Sequence, residues 1–217
     1  METDLDRYPL HNFGKITGSV VWRKQRIHGS GARLEAIHRT EERVVRNGVD
    51  LDLEAEPLER LTLGLSFEYL HDRFVSFPNA QILIPQTVAE GGGNLLEIGS
   101  VAGNRLPYTP DYSASASLDY QLPTQVGQFG LNAAYAYRST WFAGPDNNLK
   151  APISNLVNAQ LSWIPARLDK LKVLLWARNL TNQAVPMWLA PANNPGGRDD
   201  RINQPPRMYG LKLQYAF

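Results

Sequence analysis

Carboxylate side chains at alternate positions are the first residues whose types and spacing suggest chemistry. Asp50, Asp52 and Glu54 share one face of an extended segment, and paired carboxylates can act as acid and base. Basic residues with the same polar exposure, such as Arg46 and Lys172, are available to pair with them. Solvation of a polar face explains such a row without catalysis, so we expect it to be structural.

Metal-binding and nucleophilic arrangements are missing from the sequence. Three alternating serines, Ser113, Ser115 and Ser117, have no accompanying His and Asp in a recognisable arrangement. The absence of cysteine excludes thiol catalysis, disulfides and cysteine-bound zinc. The histidines lack the i, i+4 spacing of a helical zinc site. They are His11, His28, His38 and His71. These observations predict no enzyme, no catalytic or metal-binding residue and no cofactor.

Aromatic and basic residues in long polar connections are the candidate ligand contacts. Trp141 and Trp188 could stack on a ligand, and Arg198 and Arg201 could bind an anionic one. Packing within the loops is the other role open to each of them. The sequence does not identify the ligand.

Composition restricts the class of protein. The chain has 217 residues, of which 43% are hydrophobic and 20% charged, with a net charge of +1. No run approaches the ~20 apolar residues of a spanning helix. The near-neutral charge and the glutamates among the N-terminal arginines argue against nucleic acid as a partner. The first residues lack the basic and apolar regions of a secretory signal. This predicts either a cytoplasmic protein or a piece of a longer one.

Strict alternation of apolar and polar residues is the main structural signal. At the end of the chain, Tyr209, Leu211, Leu213, Tyr215 and Phe217 share one face. Alternation recurs at 45–55, 61–70, 112–121, 129–138, 157–163 and 171–178. Short turns alternate with long connections at about 73–109, 143–153 and 182–206. Residues 1–44 are poorly readable and allow one strand, centred near Val20 or between Ala32 and Arg39.

The strand lengths and the aromatic residues favour a membrane protein. Strands of about ten residues are long enough to cross a bilayer at a tilt. Two aromatic belts are predicted, one containing Tyr69, Tyr137 and Tyr209 and the other Tyr120, Trp163 and Phe217. The predicted fold is all-β: a partial antiparallel transmembrane β-barrel of about seven or eight meandering strands, with short periplasmic turns and long extracellular loops.

The last forty residues resemble the C-terminus of TonB-dependent outer-membrane receptors. In that family, a strand ending in Asn-Leu-Thr/Ser is followed by a loop, Pro-Arg-aromatic-Gly and a last strand closing on Phe. Here these features are Asn179-Leu180-Thr181, Pro206 to Gly210 with Met208 inserted, and Phe217. Residues 46–74 and 106–122 resemble two further strand segments of the family. The resemblance runs from about residue 43 to the end.

The resemblance implies a domain assignment, a function and partners. Residues 45–217 are expected to be the C-terminal part of the barrel of an outer-membrane receptor that takes up a large scarce nutrient, such as a ferric siderophore. Outer-membrane lipid and, through the terminal strand, the barrel-assembly machinery are implied partners. TonB and a plug domain are expected only in the full-length receptor.

Two alternatives remain open from the residues alone. A small self-contained outer-membrane barrel with a structural or adhesive role has the same strand pattern. A soluble β-sandwich or ligand-carrying barrel also alternates, with its apolar faces packed together.

Overall fold

Fifteen β-strands and one short 3-10 helix form the described part of the chain. The computed structural model describes residues 4–9, 16–28, 42–191 and 199–217. The strands are β1 (Asp4–Pro9), β2 (Ile16–His28), β3 (Arg43–Leu58), β4 (Leu61–Ser76), β5 (Ala80–Pro85), β6 (Asn94–Gly99), β7 (Tyr112–Thr124), β8 (Gly127–Arg138), β9 (Trp141–Phe142), β10 (Lys150–Ala151), β11 (Ser154–Pro165), β12 (Leu171–Arg178), β13 (Pro186–Ala190), β14 (Asp200–Asn203) and β15 (Met208–Tyr215). The 3-10 helix is Val88–Glu90.

The long strands form one antiparallel meander. Nine of the described strands pair in the order β1-β2-β3-β4-β7-β8-β11-β12-β15. The other six form two-stranded ribbons, β5–β6, β9–β10 and β13–β14, within the long connections. Among the described strands, β1 and β15 are the two edges of the sheet, so these nine strands form an open wall. The predicted fold class, a partial barrel of meandering strands, is confirmed.

One face of the sheet is apolar and exposed. Cross-strand pairing aligns Leu131, Leu161, Leu175 and Leu211 in a row across β8, β11, β12 and β15. Their side chains are 40%, 45%, 53% and 60% exposed. A soluble sandwich would cover such a row with a second sheet. No described residue does so, and the sandwich alternative therefore does not fit.

The opposite face carries small and polar side chains. Gly64 lies opposite Ser117, and Gly130 lies opposite Ser162. The fit is close, because a Cβ added at Gly64 would lie 2.5 Å from the Ser117 Oγ. Small residues at these positions leave room above the sheet on its polar side.

The hydrophobic core lies among the loops and not along the sheet. One buried cluster contains Val44, Phe74, Ala80 and Val101, and a second contains Trp141, Ala151 and Leu189. Both clusters lie where the long connections leave the strands. In the described part of the chain, no helix is long and apolar enough to cross a membrane.

The first 44 residues contribute more strand than the sequence predicts. Val20, where the sequence allowed a strand, lies within β2, and β1 precedes it, so the described sheet has nine strands. Alternation did not reveal the full length of β2 because Arg23, Lys24 and Arg26 interrupt it. The strand considered between residues 32 and 39 lies outside the described residues.

The connection predicted at 73–109 is shorter and more ordered than expected. β4 continues to Ser76, and the β5–β6 ribbon occupies much of the remainder. Three glycines at the ribbon's tip, Gly91, Gly92 and Gly93, have φ angles of 101°, 69° and 74°. They close the turn in a conformation that other residues rarely adopt.

Gly127 in the β7–β8 turn provides a test of the turn geometry. Its φ is 138°, and an added Cβ would lie 2.2 Å from the Ile164 carbonyl oxygen. We expect Gly127→Ala to lower the free energy of unfolding by about 1–3 kcal/mol, the cost of a strained backbone. Denaturant titration of the detergent-solubilised protein measures this loss. Gly64→Ala is the control and should lose less, because the Ser117 hydroxyl can rotate away. Equal losses would contradict a special constraint at Gly127.

Candidate ligand site in the loop layer and on the polar face

Three long loops at one end of the sheet form a connected layer. The first long loop is residues 77–111, the second 139–153 and the third 179–207, of which 192–198 lie outside the described residues. Buried Asp72, near the end of β4, holds the base of the first loop. Its Oδ1 accepts a hydrogen bond from the Leu106 backbone N–H at 3.3 Å, and its Oδ2 lies 3.8 Å from the Arg46 guanidinium. The buried Asp72 carboxylate therefore restrains the base of the first loop.

Arg105 joins the first long loop to the second. Its backbone N–H donates to Asn147 Oδ1 at 2.8 Å, and Asn147 Nδ2 donates back to the Arg105 carbonyl at 2.9 Å. The guanidinium pairs with Asp111 at 2.9 Å and donates to the carbonyls of Thr109 and Thr140. The two bonds between Arg105 and Asn147 satisfy the Arg105 backbone N–H and carbonyl, which would otherwise need a partner strand.

Asp146 and Asn148 add a second connection between the same two loops. Asp146 Oδ2 accepts from the Leu83 backbone N–H at 2.9 Å, and Asn148 Nδ2 donates to the Leu83 carbonyl. These bonds satisfy backbone groups of β5. At the tip of the first loop, hydrogen bonds from the Thr87 backbone N–H and hydroxyl lower the pKa of Glu90.

Tyr108, Trp141 and Leu189 bring all three loops together. The Tyr108 hydroxyl donates to the Leu189 carbonyl at 2.5 Å, and its ring centroid lies 4.7 Å from that of Trp141. Trp141 is only 5% exposed. Its burial favours the loop-packing role over stacking on a ligand. We call these three residues the loop clasp.

Asn179 fixes the base of the third loop. Its side-chain amide donates to the carbonyls of Gln183 and Pro205, and its Oδ1 accepts from the Gln183 backbone N–H. Its own backbone N–H donates to Asn158 Oδ1, and its φ is 52°. The buried amide thus holds both arms of the loop. The Asn-Leu-Thr motif that suggested the family is therefore structural.

Of the remaining predicted ligand contacts, the two that the structure describes lie on opposite faces of one ribbon. Trp188 is 41% exposed on β13, where it pairs with Ile202. Arg201 follows at the next register position, opposite Leu189, and its guanidinium donates to Asn203 Oδ1 and to the Ala184 carbonyl. Adjacent register positions alternate, so Trp188 and Arg201 lie on opposite faces of the ribbon. Arg198 lies outside the described residues.

A cleft on the polar face is the feature that the sequence did not reveal. It has a volume of about 470 Å³ and lies between β3, β4, β7, β8 and β11 beneath the third loop. The predicted carboxylates Asp50 and Asp52 line one side. The sequence did not identify the other lining residues, because their proximity depends on strand pairing between distant segments. They include Glu68, Arg138 and Ser154 on the sheet and Val185 and Gln204 in the third loop.

The predicted membrane-facing residues lie on the exposed face of the sheet. On β15 and beyond, Tyr209 is 79% exposed, Tyr215 55% and Phe217 107%, while Leu213 is 64% exposed. Near the short-turn end, Trp163 stacks on Phe129 with centroids 6.0 Å apart.

The other predicted belt residues lie towards strand ends. Tyr69 packs on Tyr112 at 5.2 Å near the loop layer, and Tyr137 is the penultimate residue of β8. Tyr120 pairs with Leu61, next to the β3–β4 turn. Their role as a membrane belt stays a prediction.

An antiparallel meander with one exposed apolar face and long loops at one end defines the wall of a transmembrane β-barrel. The model of the TonB-dependent receptor-like β-barrel matches residues 18–180 of the chain. The chain belongs to this family, and the resemblance seen in the sequence is confirmed. Comparison with curated protein sequences finds no match.

Solved receptor structures share the fold. The ferric yersiniabactin uptake receptor from Yersinia pestis matches with a TM-score of 0.72 and 14% identity, covering 97% of this chain and 28% of that one. The siderophore receptor PiuA from Acinetobacter baumannii matches with a TM-score of 0.67 and 11% identity, covering 93% and 26%. The chain thus spans 28% or less of the length of either receptor.

Tyr108→Phe tests whether the loop clasp holds the third loop. The change removes the hydroxyl bond to Leu189 and keeps the aromatic ring, so about 0.5–1.5 kcal/mol should be lost locally. We expect faster hydrogen exchange at the backbone amides of 186–190 and no change in β12. Tyr120→Phe is the control, because Tyr120 lies opposite Leu61 next to the β3–β4 turn, at the other end of the sheet from the loop clasp. Unchanged exchange at 186–190 would mean that Tyr108 does not restrain this loop.

Proposed function

We propose that the chain is the C-terminal part of the barrel of an outer-membrane TonB-dependent receptor that takes up a ferric siderophore. Membership of the receptor family supports transport and not enzymatic catalysis. The printed functions of similar structures, ferric yersiniabactin uptake and siderophore reception, support the ligand class. The proposed barrel part includes residues 45–217, and the pairing of β2 with β3 extends it into the first 44 residues.

The exposed leucine row is the observation that carries the membrane location. Four leucines between 40% and 60% exposed, on neighbouring strands, form an apolar surface that water would penalise. Lipid is the solvent that stabilises it, and aromatic residues towards the strand ends suit the two bilayer interfaces. We therefore assign Tyr69, Tyr120, Tyr137 and Trp163 to the aromatic belts and residues 209–217 to the membrane-facing edge strand.

The partners follow from this assignment. Outer-membrane lipid covers the apolar face, and the barrel-assembly machinery acts through β15 and Phe217. TonB and a plug domain act in the complete receptor. Two candidate ligand residues remain accessible for contact with a ligand. They are Trp188 and Arg201, both in the third loop. A self-contained barrel is less well supported, because the nine described strands do not close on one another.

Iron uptake in cells tests the proposed function. A deletion of the complete reading frame that contains this chain should abolish TonB-dependent uptake of radiolabelled iron from at least one class of ferric siderophore. Re-expression should restore uptake in a strain with TonB and fail in one without it. The tagged protein should fractionate with the outer membrane. Unchanged uptake of every siderophore class, or recovery in the soluble fraction, would refute the proposal.

Leu213→Arg tests the lipid-facing assignment of β15. A cationic side chain near the bilayer midplane costs ~2–4 kcal/mol, so the fraction of folded protein on unheated gels should fall. Gln214→Arg is the matched control on the neighbouring, opposite-facing position and should fold normally. Equal effects would contradict the assignment.

Deletion of Phe217 tests the proposed role of this residue in barrel assembly. We expect less folded protein in the outer membrane, measured on the same unheated gels.

A further inference from the structure

The polar-face cleft lies where a ligand entering through the loops would reach the sheet. Ser113 is the second residue of β7, Arg138 the last of β8 and Ser154 the first of β11, so the cleft adjoins the loop layer. Val185 and Gln204 line it from the two arms of the third loop. A bond from the Gln204 N–H to the Val185 carbonyl, 2.8 Å long, joins these arms. The cleft is thus bounded by the sheet and by a loop with a fixed base.

Charge is separated along the cleft. Cross-strand pairing places Glu68 next to Ser113, Ser113 next to Arg138, and Arg138 next to Ser154. Neighbouring strands are ~4.8 Å apart, so the backbone positions of Glu68 and Arg138 lie about 10 Å apart. On β3, Asp50 lies opposite Glu68 and Asp52 lies opposite Ser66, so the three carboxylates line the same side of the cleft. Within the described residues, none of Asp52, Glu68 and Arg138 forms an ion pair.

Ser154, at the same end of the cleft as Arg138, has a hydroxyl group that could bind a ligand. It is 7% exposed and lines the cleft, and its hydroxyl makes no hydrogen bond to any residue that the structure describes. Its Oγ is not among the completely buried side-chain atoms that lack a partner, so a molecule in the cleft can reach it. A partner in the cleft would satisfy it, together with the neighbouring Arg138 guanidinium. One end of the cleft therefore offers hydrogen-bond donors, and the other end offers carboxylates.

We propose that this cleft binds a ferric siderophore through a positively charged group, with the ligand's ammonium at Asp52 and Glu68 and a carbonyl or carboxylate oxygen at Arg138 and Ser154. This inference rests on the proposed function and specifies its substrate class. Of the three carboxylates in the lining, Asp50 already has a partner, and the other two, Asp52 and Glu68, outnumber the single guanidinium of Arg138. The cleft therefore favours a cationic chelate over an anionic one. The sequence-based expectation was the reverse, because it considered Arg198 and Arg201 as contacts for an anionic ligand.

Two chelates that differ in one charge test the proposal. The receptor, expressed from its complete reading frame and purified in detergent, is titrated with a linear ferric trihydroxamate that has a terminal ammonium group. The same chelate with that amine acetylated is titrated in parallel. We expect the ammonium form to bind about tenfold more tightly, the effect of ~1.4 kcal/mol. Equal affinity, or tighter binding of the acetylated form, would overturn the proposal.

Isosteric variants identify the carboxylates that cause the preference for the ammonium chelate. Glu68→Gln and Asp52→Asn should each reduce the difference between the two chelates, and the double variant should abolish it. Glu54→Gln, two positions from Asp52 on the same face of β3 but outside the cleft lining, should preserve it. Ser154→Ala should weaken both chelates equally. A preference that survives in the double variant would place the cationic group elsewhere and overturn the assignment.

Uptake measurements separate the two levels of the proposal. If neither trihydroxamate binds but an anionic ferric triscatecholate is imported, the charge assignment is wrong and the receptor function stands. If the ammonium chelate binds with the expected preference but no chelate is imported, the cleft is a cation-binding site and the uptake function is wrong.

Discussion

Register across the nine strands is the constraint on which the rest of the structure depends. Because side chains alternate along a strand, a one-residue slip between two strands would exchange the apolar and polar faces. The row from Leu131 to Leu211 exists only because four strands keep a common register. The same pairing aligns Glu68, Ser113 and Arg138 on the other face. One set of backbone hydrogen bonds therefore specifies both the lipid surface and the cleft.

The loop layer is stabilised differently, because a single sheet with one lipid face provides no packed core. Its apolar clusters are small, and directional bonds from side chains to backbone do most of the joining. Arg105 with Asn147 connects the first two loops, and Asn179 holds both arms of the third. Each such bond satisfies backbone groups that have no ladder partner. Removing one partner leaves a buried polar group, so these positions tolerate little change.

An element can be predicted from the sequence when the residues that determine it lie close together along the chain. The regular strands, including β15, were predictable because alternation is a local property of the chain. β2 was only partly predictable, since Arg23 and Lys24 obscure its period. The loop clasp was not predictable, because Tyr108 and Leu189 are 81 positions apart and no local pattern links them. The sequence predicted Trp141 as a possible ligand contact in a loop, but only the packing around it distinguishes burial from exposure.

The motif residues and the proposed ligand residues differ in what constrains them. Asn179 must close a loop, and Gly210 must leave space for the Trp176 ring, since an added Cβ would lie 2.7 Å from it. Such positions are set by backbone geometry, so they identify a barrel of this family whatever it transports. Glu68 and Ser154 occupy sheet positions where the backbone accepts many side chains. Specificity can change there without disturbing the fold, and a family motif therefore carries little information about the ligand.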